Sequence, residues 1–174
     1  MLFFLELNSG LVFNEFLFMQ LKKGIAKICM PAPAKLNLFL GVSGLRSDGF
    51  HELLTVMAKI NLRDIIEIEL VEQVGSLTCT CSGNENLNRQ SNIAEKAVIV
   101  WRQFTGIQNG ISIRIEKKIP DQAGLGGGSS DAVATLLALN MFMEEPLSFQ
   151  DLVHLSSQIG SDCPSFLMKS FCVV

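Results

Sequence analysis

Four glycines fall within five positions, Gly124, Gly126, Gly127 and Gly128, in the stretch PDQAGLGGGSSDA from Pro120 to Ala132. So many glycines raise the entropy cost of ordering a chain. They fit where backbone must reach positive φ or approach another group without Cβ interference. Upstream, Ile111, Ile113 and Ile115 alternate as a strand should. Downstream, Asp131 to Met143 lacks Gly and Pro and predicts a buried helix. A strand, a glycine turn and a helix N-terminus form a phosphate cradle, because unpaired N–H groups and the helix dipole favour an anion there. Ser129 and Ser130 add hydroxyls suited to phosphate oxygens or Mg2+. The loop is no Walker A sequence, since no Lys follows the glycines, and GLGGGS puts Ser129 where a dinucleotide fingerprint has its third glycine. A tight turn that only lets a helix pack close to a strand is the alternative reading.

The rest of the chain predicts an α+β fold. KICMPAPAKLNLFLGV, Lys27 to Val42, has strand-like alternation with Pro31 and Pro33 at its entrance, and SGLRSDG after it is turn chemistry. His51 to Asn61 is apolar and ordered, and Asp64 to Val71 alternates as a half-buried strand for which Leu77 to Cys81 is a short partner. Ile93, Ala97, Val100, Trp101 and Phe104 lie near one face of a helix capped by Ser91 or Asn92. Ser148 caps a second helix running to Ile159, with Asp151 three residues on.

At 174 residues and 48% hydrophobic, the chain can bury one substantial core, and disorder is excluded. The net charge of −3, with Lys and Arg scattered, leaves no basic footprint for nucleic acid. A small molecule is the expected partner. Five cysteines without paired CxxC spacing suggest free thiols in a reducing cytoplasm. Glu6, Asn8, Asn14 and Glu15 interrupt the apolar first segment too often for a membrane span, and no signal-peptide pattern surrounds it.

Several further residues are candidates. Lys35, flanked by apolar residues in PAKLNLFL, is either an exposed strand cation or an inward one that needs a partner. Asn37 shares its face of the strand. Asp162 in GSDCP is either a turn residue or a carboxylate able to accept a hydroxyl proton. Phe50 and His51 in SDGFHEL place an aromatic face beside a hydrogen-bonding ring, which suits a heterocyclic base. His154 and Trp101 read as structural.

PAKLNLFL, SDGFHEL, SNIAEKA, IPDQAGLGGGSSDAVATLLALN and GSDCP, in this order, resemble the 4-(cytidine 5'-diphospho)-2-C-methyl-D-erythritol kinases of the GHMP kinase superfamily, over about Pro33 to Phe166. The resemblance implies a GHMP N-terminal domain like domain 2 of ribosomal protein S5. It also implies ATP as phosphoryl donor, and transfer to the substrate's 2-hydroxyl in non-mevalonate isoprenoid biosynthesis. By motif, Asp162 is the implied catalytic base, Lys35 its charged partner and Asn37 a contact to the erythritol. Phe50, where the family commonly has Tyr, stacks on the cytosine and His51 hydrogen-bonds to it, while Asn92 lies near adenine. Pro120, Ala123, Gly124, Leu125, Gly126, Gly127, Gly128, Ser129 and Ser130 wrap the ATP phosphates, with Ser130 helping to place Mg2+.

The expected organisation is a non-family extension over 1–29 and the ATP-binding domain over 30–174. The family's second domain is expected to be missing, with apolar surface exposed and turnover weak or absent. A noncatalytic kinase fragment, or a GHMP kinase of the homoserine or mevalonate type, is the competing reading.

Overall fold

The computed structural model describes residues 18–22, 25–45, 51–82, 92–142, 146–168 and 171–173. In chain order the elements are β1 (Phe18–Lys22), β2 (Ile25–Leu45), β3 (His51–Val71), β4 (Leu77–Ser82), α1 (Ile93–Thr105), β5 (Gly110–Glu116), α2 (Gly127–Met141), α3 (Phe149–Ile159), α4 (Cys163–Leu167) and β6 (Phe171–Val173). The α+β expectation holds, with one sheet ordered β1-β2-β3-β5-β4 and β6 paired to β3.

The period-2 pattern sorts the sheet into two faces. Ile28, Met30, Ala32 and Ala34 of β2, Ile66 and Ile68 of β3, and Ile111, Ile113 and Ile115 of β5 are buried on the side that meets the helices. On the opposite side Glu67 binds Lys27 at 2.7 Å and Arg114 at 2.9 Å, a charge ladder across three neighbouring strands. β4 and β5 run parallel with α1 as their crossover, so Leu77–Ser82 is a partner of β5 and not of β3 as the sequence suggests.

α2 is the central helix. Ten consecutive residues from Ser130 to Leu139 are buried, because α1, α3 and α4 surround the sides that the sheet does not cover. It begins at Gly127, inside the glycine loop and four residues earlier than its composition suggests. α1 buries Ala94, Ala97, Val98, Val100 and Trp101, whereas Phe104 is exposed. Asn92 is its N-cap, accepting from the Ala94 N–H at 3.0 Å, and Glu95 completes the capping box. Ser148 and Asp151 do the same for α3.

β2 and β3 pair antiparallel along almost their whole length, with register shifts after Pro33, Asn37 and Val42. Such bulges bend a strand and increase its twist. Strand continues through Ser43 to Leu45, where turn chemistry was expected. The far arm of this pair leaves Leu36, Leu38, Phe39, Leu40, Val42 and Leu54 exposed. The expected boundary at residue 29 falls inside β2, and β1 pairs with β2 on its N-terminal side.

One ionic fastener joins sheet to helix. Asp64 of β3, fully buried, accepts from the backbone N–H groups of Lys118 and Ile119 and from Lys117 Nζ at 2.6 Å; the same ammonium reaches Asp131 of α2 at 2.9 Å. Removing one partner of a buried pair strands the others without water. Asp64→Ala is therefore expected to lower unfolding free energy by about 3–5 kcal/mol in urea denaturation. A loss below about 1 kcal/mol would mean that the pair behaves as an exposed one.

Candidate active site

The site is built where β2, the glycine loop and α4 converge. Leu125 O accepts the Lys35 N–H at 2.9 Å, tying the loop to β2. Gly124 and Gly126 have φ of +72° and +69°, and a Cβ on Gly126 would lie 2.7 Å from Phe166 Cζ and 3.1 Å from Lys35 Cγ. Only glycine meets both the backbone angle and the space at that position. Gln122, also in the loop, takes positive φ without being glycine.

Gly126 is the N-cap of α2 and has no side chain to cap it. The Ser130 N–H returns to Gly126 O at 2.9 Å, so the helix's first-turn donors ahead of it, on Gly127, Gly128 and Ser129, have no intrahelical acceptor. Gly128 is exposed, while Gly127 and Ser129 are half-buried. A bare helix N-terminus reached by a glycine loop is a site for phosphate oxygens. Pro120, Ala123 and Gly124 are exposed at the loop's outer edge.

Lys35 points inward, with its side chain only 8% exposed. Its Nζ donates to Asn37 Oδ1 at 3.1 Å and lies 4.0 Å from Asp162 Oδ2. These three residues, suggested separately by the sequence, share one cluster. Asp162 is the N-cap residue of α4 but makes no side-chain capping bond, and its carboxylate is 46% exposed, open to an incoming hydroxyl.

Two cations without a motif of their own brace the site, one beside this cluster and one behind the start of α2. Lys59, the cross-strand partner of Lys35, donates to Phe166 O and Met168 O, both at 2.7 Å, holding the end of α4 against β3. Lys117 is the other. Neither has a local signature, since both acquire their partners from segments distant in sequence.

The remaining candidates stand apart from this cluster. His51 pairs in register with Leu45 at the far end of the β2–β3 arm, eight residues along β3 from Lys59. Phe50 lies outside the described residues. Asn92 uses its side-chain oxygen in capping α1, whose Ile93 approaches the loop: a Cβ on Gly128 would lie 3.3 Å from Ile93 Cγ2. Ser130 is 2% exposed, less open than Ser129. Among the described residues no three His, Cys, Asp or Glu side chains gather as metal ligands. Mg2+ in phosphoryl transfer takes most of its ligands from phosphate and water, so the serine hydroxyls at the helix start fit a supporting role. Among the described residues no disulfide joins Cys29, Cys79, Cys81 or Cys163, and the Cys79 thiol is pushed up to about 12, first by burial and then by nearby acids. No helix among the described residues is long and apolar enough to cross a membrane.

Asp131, one turn into α2, has its carboxyl pushed up to about 7. Burial is the main cause and outweighs the opposing Lys117 ammonium, while Asp64 adds repulsion. The Lys117 ammonium is held by the same contacts: burial disfavours its charge, but Asp131 and Asp64 more than compensate and raise its pKa.

Gly126→Ala is expected to cost about 1–3 kcal/mol in urea unfolding from the left-handed backbone alone, with displacement of Phe166 in addition. Wild-type stability there would show that the loop adopts another path. The pH dependence follows from Asp131. An unfolded Asp releases its proton near ~4, whereas the folded one keeps it to about 7. This group's stabilisation is therefore full below ~4 and lost as pH rises to about 7. Asp131→Asn should flatten the fall in stability between those values, and unchanged curvature in a series of melts would contradict the assignment.

Residues 92–170 match the family model described as the GHMP kinases N terminal domain. A 4-diphosphocytidyl-2-C-methyl-D-erythritol kinase of Methylacidiphilum infernorum is 41% identical over 139 residues, covering 79% of this chain and 48% of that protein. The kinase of the same name from Desulfitobacterium hafniense is 45% identical over 143 residues, 80% of this chain and 46% of its own length. The chain thus spans about half the length of the curated relatives it matches. A crystal structure of 4-(cytidine 5'-diphospho)-2C-methyl-D-erythritol kinase superposes with a TM-score of 0.69 at 36% identity, covering 84% of this chain and 51% of the other. A homoserine kinase from Cytophaga hutchinsonii, at 23% identity and a TM-score of 0.58, shares the fold. By sequence over residues 92–170 and by fold over the described chain, this is the N-terminal domain of the GHMP kinase family.

Proposed function

We propose that this chain supplies the ATP-binding and hydroxyl-activating half of a kinase that phosphorylates the 2-hydroxyl of 4-(cytidine 5'-diphospho)-2-C-methyl-D-erythritol in non-mevalonate isoprenoid precursor biosynthesis. The observation that carries this reading is the meeting of two kinds of group. A bare helix N-terminus for phosphates adjoins a buried lysine that faces an open carboxylate, and the Lys35 N–H is bonded to the loop itself. Phosphoryl transfer demands positioning and charge neutralisation more than an elaborate nucleophile.

In the proposed reaction Asp162 accepts the proton of the attacking hydroxyl. The hydroxyl oxygen bonds to the γ-phosphorus as the bond to the β-bridging oxygen breaks and ADP leaves. Lys35 faces the Asp162 carboxylate and offsets charge on the transferred group, and Asn37 orients both Lys35 and the erythritol. The amides of Gly127 to Ser129 receive phosphate oxygens, the serine hydroxyls at the helix start would help to hold Mg2+, which would neutralise phosphate charge, and Asn92 borders the adenine. Phe50 and His51 hold the cytosine. The choice of a cytidylylated substrate over homoserine or mevalonate rests on the SDGFHEL motif and on the names and identities of the relatives. The exposed apolar side chains of the arm form the surface that the remaining half of such a kinase would cover. The family domain occupies residues 30–174 in this reading, with 1–29 as an added segment. Cysteines without disulfides among the described residues fit a cytoplasmic setting.

The test is transfer of labelled γ-phosphate to the cytidylylated methylerythritol by the full-length protein. Asp162→Asn should lower kcat by roughly 10²–10⁴-fold, the usual contribution of a general base, while the Kd for ATP changes little. Undiminished turnover in that variant would remove Asp162 from the mechanism, and transfer to homoserine or mevalonate instead would overturn the substrate.

A further inference from the structure

Lys35 and Lys59 stand opposite each other on adjacent antiparallel strands. Like charges so placed are destabilising. Here the two ammonium groups reach opposite ends of one helix. Lys35 Nζ lies 4.0 Å from the carboxylate of Asp162, the N-cap of α4, while Lys59 Nζ donates to Phe166 O and Met168 O at the other end, each at 2.7 Å. α4 is five residues long, too short to hold its shape alone. Its Ser165 N–H and hydroxyl both return to Asp162 O, at 3.2 Å and 2.6 Å, and the Met168 N–H returns to Ser165 O at 3.2 Å. A chain of bonds thus runs from Lys59 through Met168 and Ser165 to the backbone of Asp162. The Asp162 side chain makes no capping bond, so the seat of α4 governs where its carboxylate stands before Lys35. A Cβ on Gly126 would lie 2.7 Å from Phe166 Cζ, so that ring limits the approach of α4 to the glycine loop. Lys59 opposes movement the other way.

We propose that Lys59 is a positioning residue for phosphoryl transfer: by gripping the C-terminal carbonyls of α4 it fixes the Asp162 carboxylate at the helix's other end, where the acceptor hydroxyl must meet it. The inference rests on the reading of Asp162 as the base. An ammonium suits the task. Its three N–H donors serve two carbonyls at once, and the carbonyls that end a helix carry partial negative charge and lack intrahelical partners. The anchor also sits on a braced strand, because β3 is held between β2 and β6 just ahead of Lys59. Loss of the grip frees α4 to shift. A misplacement of ~1 Å at a reacting group can slow a reaction by roughly 100-fold. Lys35 and Lys59 therefore divide the work across the strand pair, one facing the carboxylate and the other holding the helix that carries it.

The experiment measures transfer of labelled γ-phosphate by the full-length protein, with amide hydrogen exchange alongside, in wild type, Lys59→Met and Lys59→Arg. Lys59→Met should lower kcat by roughly 10–100-fold and leave the KM for ATP nearly unchanged. Lys59→Arg, which also presents several donors, should restore most of the rate. In an Asp162→Asn background the Lys59→Met change should cost little more, since the base it would misplace is already gone. The Ser165 and Met168 amides should exchange several-fold faster in Lys59→Met, while those of α2 keep their wild-type rates. A wild-type kcat in Lys59→Met would overturn the inference. So would an equal loss in the Asp162→Asn background, which would make Lys59 a general stabiliser. Undiminished turnover in Asp162→Asn alone is a different failure: it removes the base reading, and the positioning role with it, whatever the Lys59 variants do. Should Lys59→Met not fold, Lys59→Gln, uncharged and shorter in reach, takes its place, with a several-fold fall in kcat expected and no fall overturning the proposal.

Discussion

The approach of the glycine loop to Phe166 and Lys35 at Gly126 is the constraint from which the rest of the site follows. There is no room for a Cβ between an aromatic ring on α4 and an aliphatic stem on β2, and the backbone angle disfavours one as well. A glycine at that point lets α2 start within a side chain's width of β2. It also leaves the helix without a side-chain cap, so its first amides are free for a ligand. The same contact seats Phe166, and with it the short α4 whose first residue neighbours Asp162. Packing and chemistry are inseparable here: the close approach that satisfies the core also brings a cation, a carboxylate and a helix N-terminus together.

Charge organises the interior in a second way. α2 is buried along most of its length by apolar side chains, which give burial energy but little directionality. Asp64 and Lys117 supply the direction, because charge-assisted bonds have narrow geometry and a misplaced partner would be left dry. Lys59 and Lys96 act similarly at helix ends, donating to terminal carbonyls of α4 and α3. Lysines placed in this way tie α4 to β3, α3 to α1 and α2 to the sheet.

Much of the architecture was legible because it is written in local rules. Alternation in Asp64–Val71 and Gly110–Glu116, the capping boxes at Asn92 and Ser148, and the glycine run all act over a few residues. Lys35 and Asn37 could be placed on one face from strand geometry alone, and they are bonded to each other. The errors lie where nonlocal contact decides. The start of α2 at Gly127 contradicts glycine's low helix propensity, and surrounding packing overrides it. β4 chose β5 over β3 because the α1 crossover delivers it there in parallel. Phe104 falls on the exposed face of α1 among the described residues.

By itself the sequence determined that this chain has an α+β core with a glycine loop at a helix entry, because spacing, turn chemistry and caps are short-range effects. Only the tertiary structure decided that Lys35, Asn37 and Asp162 converge, with Lys59 beside Lys35 and Lys117 next to Gly127. It alone left one oxygen of Asp131 dry beneath the cradle. Those relations depend on which distant segments exclude water from one another, and a buried charge acquires its partner and its proton affinity only when that exclusion is complete.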